Sequence, residues 1–131
     1  MLQGNGANPM RWDCAKRGCF NIKKRPKIEL FADCLPGQIA FGDVDGIVEI
    51  NGNLLLLEWK DHRAIAMGQR ILFQRMTLLC PATVLVVEGD AETMAVSSIR
   101  TVRRGIISDA EAASLDELRR RIRAWAEGAM A

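Results

Sequence analysis

The stretch from Phe41 to Lys60, FGDVDGIVEINGNLLLLEWK, decides the fold because its pattern is that of a β-hairpin. Asp43 to Ile50 and Asn53 to Lys60 are runs rich in Val, Ile and Leu, which are typical of strands. Asn51-Gly52 between them favours a two-residue type I′ turn, in which both central residues take positive φ. Such a turn pairs the two residues that flank it, so opposed residues have position numbers that sum to 103.

The register brings acidic side chains together. Asp45 lies opposite Glu58, Asp43 lies opposite Lys60, and the alternation of side chains places all four on one face. Opposed Cβ atoms are about 4.5–5.5 Å apart, and two carboxylates that close repel each other unless a cation or a shared proton relieves them. The other face is predicted to pack, and it carries Val44, Gly46, Val48, Leu55, Leu57 and Trp59.

Binding of a hard divalent ion is the simplest way to offset the repulsion between two such carboxylates. The hairpin therefore predicts a metal site at Asp45 and Glu58, with Mg²⁺ or Mn²⁺ favoured because the ligands are hard oxygens. Lys60 lies two positions beyond Glu58 on the same face. Asp43 is predicted to form a cross-strand ion pair with Lys60; its alternative role is that of metal ligand.

Length and composition indicate one domain, residues 1–131, in which residues 1–27 form a basic N-terminal arm. Apolar residues make up 49% and charged residues 26%, which is ordinary for a globular protein. No apolar run reaches the roughly 18–20 residues that span a membrane, and the N-terminus lacks the apolar core of a secretory signal. We therefore expect a cytoplasmic protein with no membrane partner, whose four cysteines are free thiols or metal ligands.

The net charge of +2 conceals an asymmetry. Residues 1–27 hold seven Lys or Arg and one acid, whereas residues 28–131 hold eleven Lys or Arg and fifteen acids. A basic arm of this kind suits contact with a polyanion, although a solvated tail is the alternative. The predicted DNA contacts are Lys16, Arg17, Lys23, Lys24 and Arg25.

Cys14 and Cys19, within the same arm, raise the alternative of a zinc-containing nucleic-acid-binding module. Structural zinc usually takes four ligands in two close pairs, and the second pair is missing here. Packed free thiols are therefore the favoured interpretation.

The remaining chain alternates between helix and strand patterns. Pro26 to Leu35 fits a short helix or an edge strand, and Gln38 to Phe41 a first strand. Ala64 to Leu79 predicts a helix with an apolar stripe, and Gln69 is placed on its polar side. The continuous apolar run Ala82 to Val87 predicts a strand buried on both faces and parallel to one strand of the hairpin. The stripe consists of Met67, Ile71, Leu72, Met76 and Leu79.

The C-terminal third predicts one further strand, Thr93 to Val102, and a closing helix. Ser108 to Glu111 and Ser114 to Glu117 both fit the capping-box pattern that starts a helix. The arginines of the closing helix fit a solvated face better than a DNA contact. These elements together predict an α/β fold: a small mixed β-sheet with a central antiparallel hairpin, flanked by helices.

Gly42-x-x-Asp45, twelve intervening residues and then Glu58-Trp59-Lys60 resemble the central pattern of the PD-(D/E)XK nuclease superfamily. Gln69, nine residues past the lysine, resembles the helical glutamine of its resolvase-like and virus-type replication-repair branches. The segment is also similar to small phage and prophage proteins with an EWK motif, and the resemblance covers roughly residues 28–88. The Pro-Asp pair that names the superfamily is Val44-Asp45 here.

The resemblance implies a restriction-endonuclease-like fold and a metal-dependent nuclease acting on DNA, including branched or structured DNA, in the host cytoplasm if the protein is phage-encoded. It implies that the Trp59 backbone carbonyl joins Asp45 and Glu58 as a metal ligand. Lys60 would orient or deprotonate the attacking water. Gln69 is the fourth predicted catalytic residue, with a surface role as its alternative, and Glu29 is an auxiliary acid or a surface residue. A homodimer fits such enzymes, and RNA is not excluded as a substrate.

The main rival from another class is a catalytically inactive nuclease-fold phage protein that binds a host protein or nucleic acid. It would keep the hairpin and need no metal.

Overall fold

A computed structural model describes residues 28–42, 44–61 and 64–131, without the side chain of Glu29. The chain divides into two compact units, Met1–Gly42 and Asp43–Ala131. The described part of the first unit begins with a 3₁₀ helix, Ile28–Cys34, which resolves the choice between a helix and an edge strand. Within this unit the rings of Phe31 and Phe41 meet edge to face, with their centroids 6.5 Å apart.

The strand predicted at Gln38 to Phe41 is wrong. Gln38 belongs to a turn and residues 39–42 have no regular structure. The turn begins at Pro36, whose carbonyl accepts a hydrogen bond from the Ile39 N–H at 3.2 Å. Gly37 within it takes φ +60°, a conformation that turns the chain and does not extend it.

The second unit is an α/β fold, a mixed sheet with two helices, as the sequence predicts. Strands β1 to β5 lie in chain order across the sheet, and β6 also pairs with β4. The β2–β3 pair is parallel and the other pairs are antiparallel. The elements are β1 Gly46–Ile50, β2 Asn53–Lys60, α1 Met67–Leu79, β3 Ala82–Asp90, β4 Ala95–Arg103, β5 Ile106–Ile107, β6 Glu111–Ala112 and α2 Leu115–Met130.

The hairpin register is confirmed. Ile50 pairs with Asn53 and the ladder continues to Gly46 and Leu57, so the position numbers sum to 103 throughout. The two turn residues, Asn51 and Gly52, have φ of 51° and 86°, the positive values that a type I′ turn needs. The first strand is three residues shorter than predicted, since it begins at Gly46 and not at Asp43.

A hydrophobic core lies on each face of the sheet, because successive side chains of a strand point to opposite faces. One face packs against α2 through Leu55, Leu85, Val87, Ile99 and Leu118. The other packs against α1, and its buried residues are Leu56, Phe73, Val84, Val86 and Val102. Strand β3 supplies both cores, as its continuous apolar run predicts.

The predicted apolar stripe of α1 is wrong at four of its five residues, and only Met76 packs against the core. Met67, Leu72 and Leu79 are 70%, 50% and 80% exposed, and Ile71 is also exposed. The buried residues are Phe73 and Thr77, spaced four apart, with Met76 packed beside them. Thr77 is tolerated there because its hydroxyl donates to the Phe73 carbonyl at 2.8 Å and accepts the Gly105 N–H at 3.0 Å.

The two capping boxes have different outcomes. Ser114 caps α2, with its hydroxyl accepting the Glu117 N–H at 3.2 Å. Ser108 starts no helix, because its hydroxyl accepts the Thr101 N–H at 2.8 Å and Glu111 opens strand β6 instead. Across the described parts of the chain, no helix is both long enough and apolar enough to cross a membrane.

Candidate functional site

Three of the four predicted catalytic side chains form one hydrogen-bonded cluster. Gln69 Nε2 donates to Glu58 Oε1 at 2.9 Å, and Lys60 Nζ donates to Gln69 Oε1. Lys60 Nζ also lies 3.4 Å from Glu58 Oε1. The Glu58 residue is 8% exposed and the Lys60 side chain 15%, so the cluster is largely shielded from water.

Strand and helix periodicity together create the cluster. Glu58 and Lys60 follow Leu56 at steps of two, so they share the sheet face that packs against α1. Gln69 precedes the buried Phe73 by four residues, which turns its amide toward the same face. Gln69 was predicted on the polar side of α1, and the corrected orientation of the helix places it on the sheet-facing side.

Asp45 immediately precedes Gly46, which forms the last pair of the β1–β2 ladder with Leu57. If the register continued by one residue, Asp45 would lie opposite Glu58. Its Oδ2 accepts the Trp59 N–H at 2.6 Å. The carboxylate thus accepts the hydrogen bond that a backbone carbonyl of β1 would otherwise accept, and β1 ends there. Asp45 is exposed, in contrast to Glu58.

The Trp59 side chain anchors the Glu-x-Lys segment from the opposite face. Its indole N–H donates to the Gly89 carbonyl at 2.9 Å, and its ring packs against the α2-side core. A Cβ on Gly89 would lie 3.0 Å from Trp59 Cζ2 and 2.4 Å from the Ala95 carbonyl oxygen. Only glycine fits this approach, which fixes β2 against β3 beside the cluster.

The oxygens available for a cation are hard carboxylate oxygens. Each predicted ligand has one oxygen engaged, Asp45 Oδ2 by Trp59 N–H and Glu58 Oε1 by Gln69. No hydrogen bond from a described residue reaches Asp45 Oδ1 or Glu58 Oε2, and neither atom is buried without a partner. These two oxygens fit Mg²⁺ or Mn²⁺, which commonly takes one or two carboxylates and completes its shell with water and phosphate oxygens.

No larger ligand set exists within the part of the chain that the structure describes, where no three His, Cys, Asp or Glu residues cluster as a metal site. Cys34 and Cys80 are free and exposed. The Trp59 carbonyl remains a predicted ligand.

A cation-lined cavity of about 330 Å³ adjoins Lys60, and sequence analysis missed it. Lys60, Arg70 and Arg100 line it, together with Glu88 and Ser98. Arg100 pairs with Val86 in the sheet, and Val86 pairs with Glu58, so a single row across three strands joins Arg100 to the cluster. The Arg100 guanidinium donates to the Ser108 carbonyl at 3.2 Å. Neither arginine forms an ion pair with any described residue.

The other predicted site residues, apart from Glu29, lie outside the residues that the structure describes. They are Asp43, Cys14, Cys19, Lys16, Arg17, Lys23, Lys24 and Arg25. Glu29 belongs to the 3₁₀ helix of the other unit, and its role stays a prediction. The described partners of Lys60 are Glu58 and Gln69.

Comparison with known protein families, with curated proteins and with solved structures finds no match for this chain. A functional assignment therefore depends on the chemistry of the site.

Proposed function

We propose that the chain is a divalent-metal-dependent nuclease that hydrolyses DNA phosphodiester bonds. The observation that carries the proposal is the Glu58–Lys60–Gln69 cluster, which holds a lysine and an acid beside a second acid, Asp45. Burying such polar groups is costly, so an interior strand has little reason to contain them unless they have a function. Resemblance to the PD-(D/E)XK pattern gives the same assignment.

Hydrolysis needs a polarised water and neutralisation of the charge that develops on phosphate. A divalent ion bound by Asp45 and Glu58 would supply Lewis acidity for both. The Lys60 ammonium has three N–H donors, and the Gln69 and Glu58 oxygens take at most two of them. The third can reach a water or a phosphate oxygen. Gln69 acts as a positioning residue, since it holds the lysine and the acid in a fixed relation.

Phosphate binding is supported by the charge beside Lys60. Arg70 and Arg100 line the same cavity, and guanidinium groups suit phosphate oxygens because their donors form a planar fork. The basic arm, residues 1–27, carries seven Lys or Arg and one acid, and this charge would add attraction to the nucleic-acid backbone.

The test is cleavage of supercoiled plasmid and of branched DNA in Mg²⁺ or Mn²⁺ by the full chain. We expect nicking by wild type, and losses of about 100-fold or more in Asp45→Asn and Glu58→Gln, because each removes a charged ligand of the ion that would stabilise the transition state. Asp109→Asn and Glu92→Gln are matched controls: exposed acids outside the site that undergo the same charge change. Equal activity in the site variants and the controls would refute the assignment.

A second candidate function follows from the hydrogen bonds and the ion pair within the cluster. Lys60 and Gln69 both contact the same Glu58 oxygen, so side chains of the cluster itself partly balance this buried charge, which also suits a catalytically inactive nuclease-fold protein that binds a host protein or nucleic acid. Folded wild type with neither cleavage nor Mn²⁺ affinity would favour this candidate.

A further inference from the structure

A second cavity lies at the opposite end of the parallel strand pair. Its volume is about 660 Å³, and it opens between α2 and the sheet beside Asn53 and Ala82, the first residues of β2 and β3. Lys60 is the last residue of β2, seven steps away, which is about 23 Å at the usual strand rise. The cavity is therefore separate from the candidate active site.

The interior combines apolar surface with polar groups. Leu55 and Leu85 provide apolar surface from the sheet, and the partly buried Trp125 lines the cavity from α2. Thr83 and Thr101 add hydroxyl groups from neighbouring strands. A ligand with a flat apolar body and hydrogen-bonding edges fits this lining better than an alkyl chain does.

Arginines supply the charge of the cavity. Arg120 and Arg121 both bind Glu117, at 2.6 and 2.8 Å, and Arg121 also lies 3.6 Å from Glu111. Arg103 and Arg104 complete the set, and neither forms an ion pair with any residue that the structure describes. No carboxylate of a described residue therefore neutralises these two guanidinium groups, which line the cavity.

The turn that presents these two arginines is held in place. Arg104 and Gly105 form a two-residue turn between β4 and β5, with φ of 51° and 79°. The Gly105 N–H donates to the Thr77 hydroxyl at 3.0 Å, and Gln74 Nε2 donates to the Gly105 carbonyl at 3.4 Å. Because α1 anchors the turn, the arginine backbones keep a fixed position before any ligand binds.

We propose that this cavity binds a nucleotide, with its base among Leu55, Leu85 and Trp125 and its phosphate at Arg103 and Arg104. The volume lies within the range of about 300–1,000 Å³ that is typical of small-molecule sites. A free mononucleotide and the phosphorylated end of a single strand share this chemistry. Nucleotide binding in this cavity does not require hydrolysis at the other site.

The test is calorimetric titration of the full-length Glu58→Gln variant, chosen so that cleavage cannot confuse binding. The probes are dAMP, a 5′-phosphorylated single-stranded tetranucleotide and inorganic phosphate. Arg103→Gln with Arg104→Asn should weaken nucleotide binding by about tenfold or more, since two charge-assisted contacts are lost. Asparagine is chosen because it tolerates the positive φ of Arg104. Trp125→Leu should weaken dAMP more than phosphate.

Arg123→Gln is the matched control, because Arg123 is an exposed arginine of α2 that does not line the cavity. It should bind within about twofold of the parent. Binding of dAMP assigns the site to free nucleotides, and binding of the tetranucleotide alone assigns it to strand ends; both outcomes support the proposal. No binding at millimolar concentration, equal affinity for phosphate and dAMP, or full affinity in the arginine double variant would overturn it.

Discussion

Replacing Gln69 with Leu tests how the candidate site is built. Gln69 makes two hydrogen bonds to charged groups, one to the Glu58 carboxylate and one from the Lys60 ammonium. Each such bond contributes about 1.5–3 kcal/mol. The Glu58–Lys60 contact at 3.4 Å is kept in the variant, and leucine buries more apolar surface than glutamine. The loss of the two hydrogen bonds is therefore partly offset. We expect a net decrease of about 2 kcal/mol in the free energy of unfolding.

The measurement is urea denaturation followed by circular dichroism, with DNA cleavage assayed alongside. Gln74→Leu is the control on the same helix, since the Gln74 amide makes one hydrogen bond to a described residue, at 3.4 Å to the neutral Gly105 carbonyl, and the cost of its loss should stay below about 1 kcal/mol. Cleavage should fall about tenfold or more in Gln69→Leu because Lys60 loses its orientation. A Gln69→Leu protein as stable and as active as wild type would show that the amide does not organise the cluster.

Three further predictions concern packing, acid stability and DNA affinity. Gly89→Ala should lower the free energy of unfolding by about 1–3 kcal/mol in chemical denaturation, since the added Cβ would lie 2.4 Å from the Ala95 carbonyl oxygen. Gly128→Ala is the control and should cause no loss of stability, because nothing lies within 4 Å of its added Cβ. Equal stabilities of the two variants would refute the tight approach at Gly89. Hydrogen bonds from Arg120 and then Arg121 lower the pKa of Glu117 from 4.5 to about 2, so its stabilising effect is present above pH 4.5 and disappears as the pH falls through 2. Glu117→Gln should flatten the acid-unfolding curve in that window, and an unchanged curve would contradict the ion pair. Arg100→Gln should reduce the salt dependence of DNA binding by about one phosphate contact, as judged by fluorescence anisotropy, and an unchanged slope would place DNA elsewhere.

The hairpin could be predicted from sequence because its determinants are local. Asn51-Gly52 specifies the turn by its φ angles, and the turn alone sets every opposed pair up to Gly46 and Leu57. The parallel β2–β3 pairing also followed, since a helix between two strands requires a crossover. Glu58 and Lys60 could therefore be placed on one face from the sequence alone.

Helix α1 was harder to predict because most of its residues are apolar. Met67, Ile71 and Leu72 fit a helical stripe as well as Phe73 and Met76 do, and only packing against the sheet chooses between them. That choice determines where Gln69 points.

The arginines beside the site were missed for a related reason. Arg100 lies in the same row as Glu58 because of two pairings, of Glu58 with Val86 and of Val86 with Arg100. No local pattern in the sequence encodes these two strand registers.

Crystals soaked in Mn²⁺, with the ion located by its anomalous scattering, test the central claim most directly. We expect one ion bound by an oxygen of Asp45 and an oxygen of Glu58, at roughly the 2.0–2.2 Å typical of small divalent cations. The same ion should be absent from Glu58→Gln crystals soaked in parallel. Wild-type crystals with no ion at this pair, or with manganese bound only elsewhere, would contradict the claim that these two acids form a metal site.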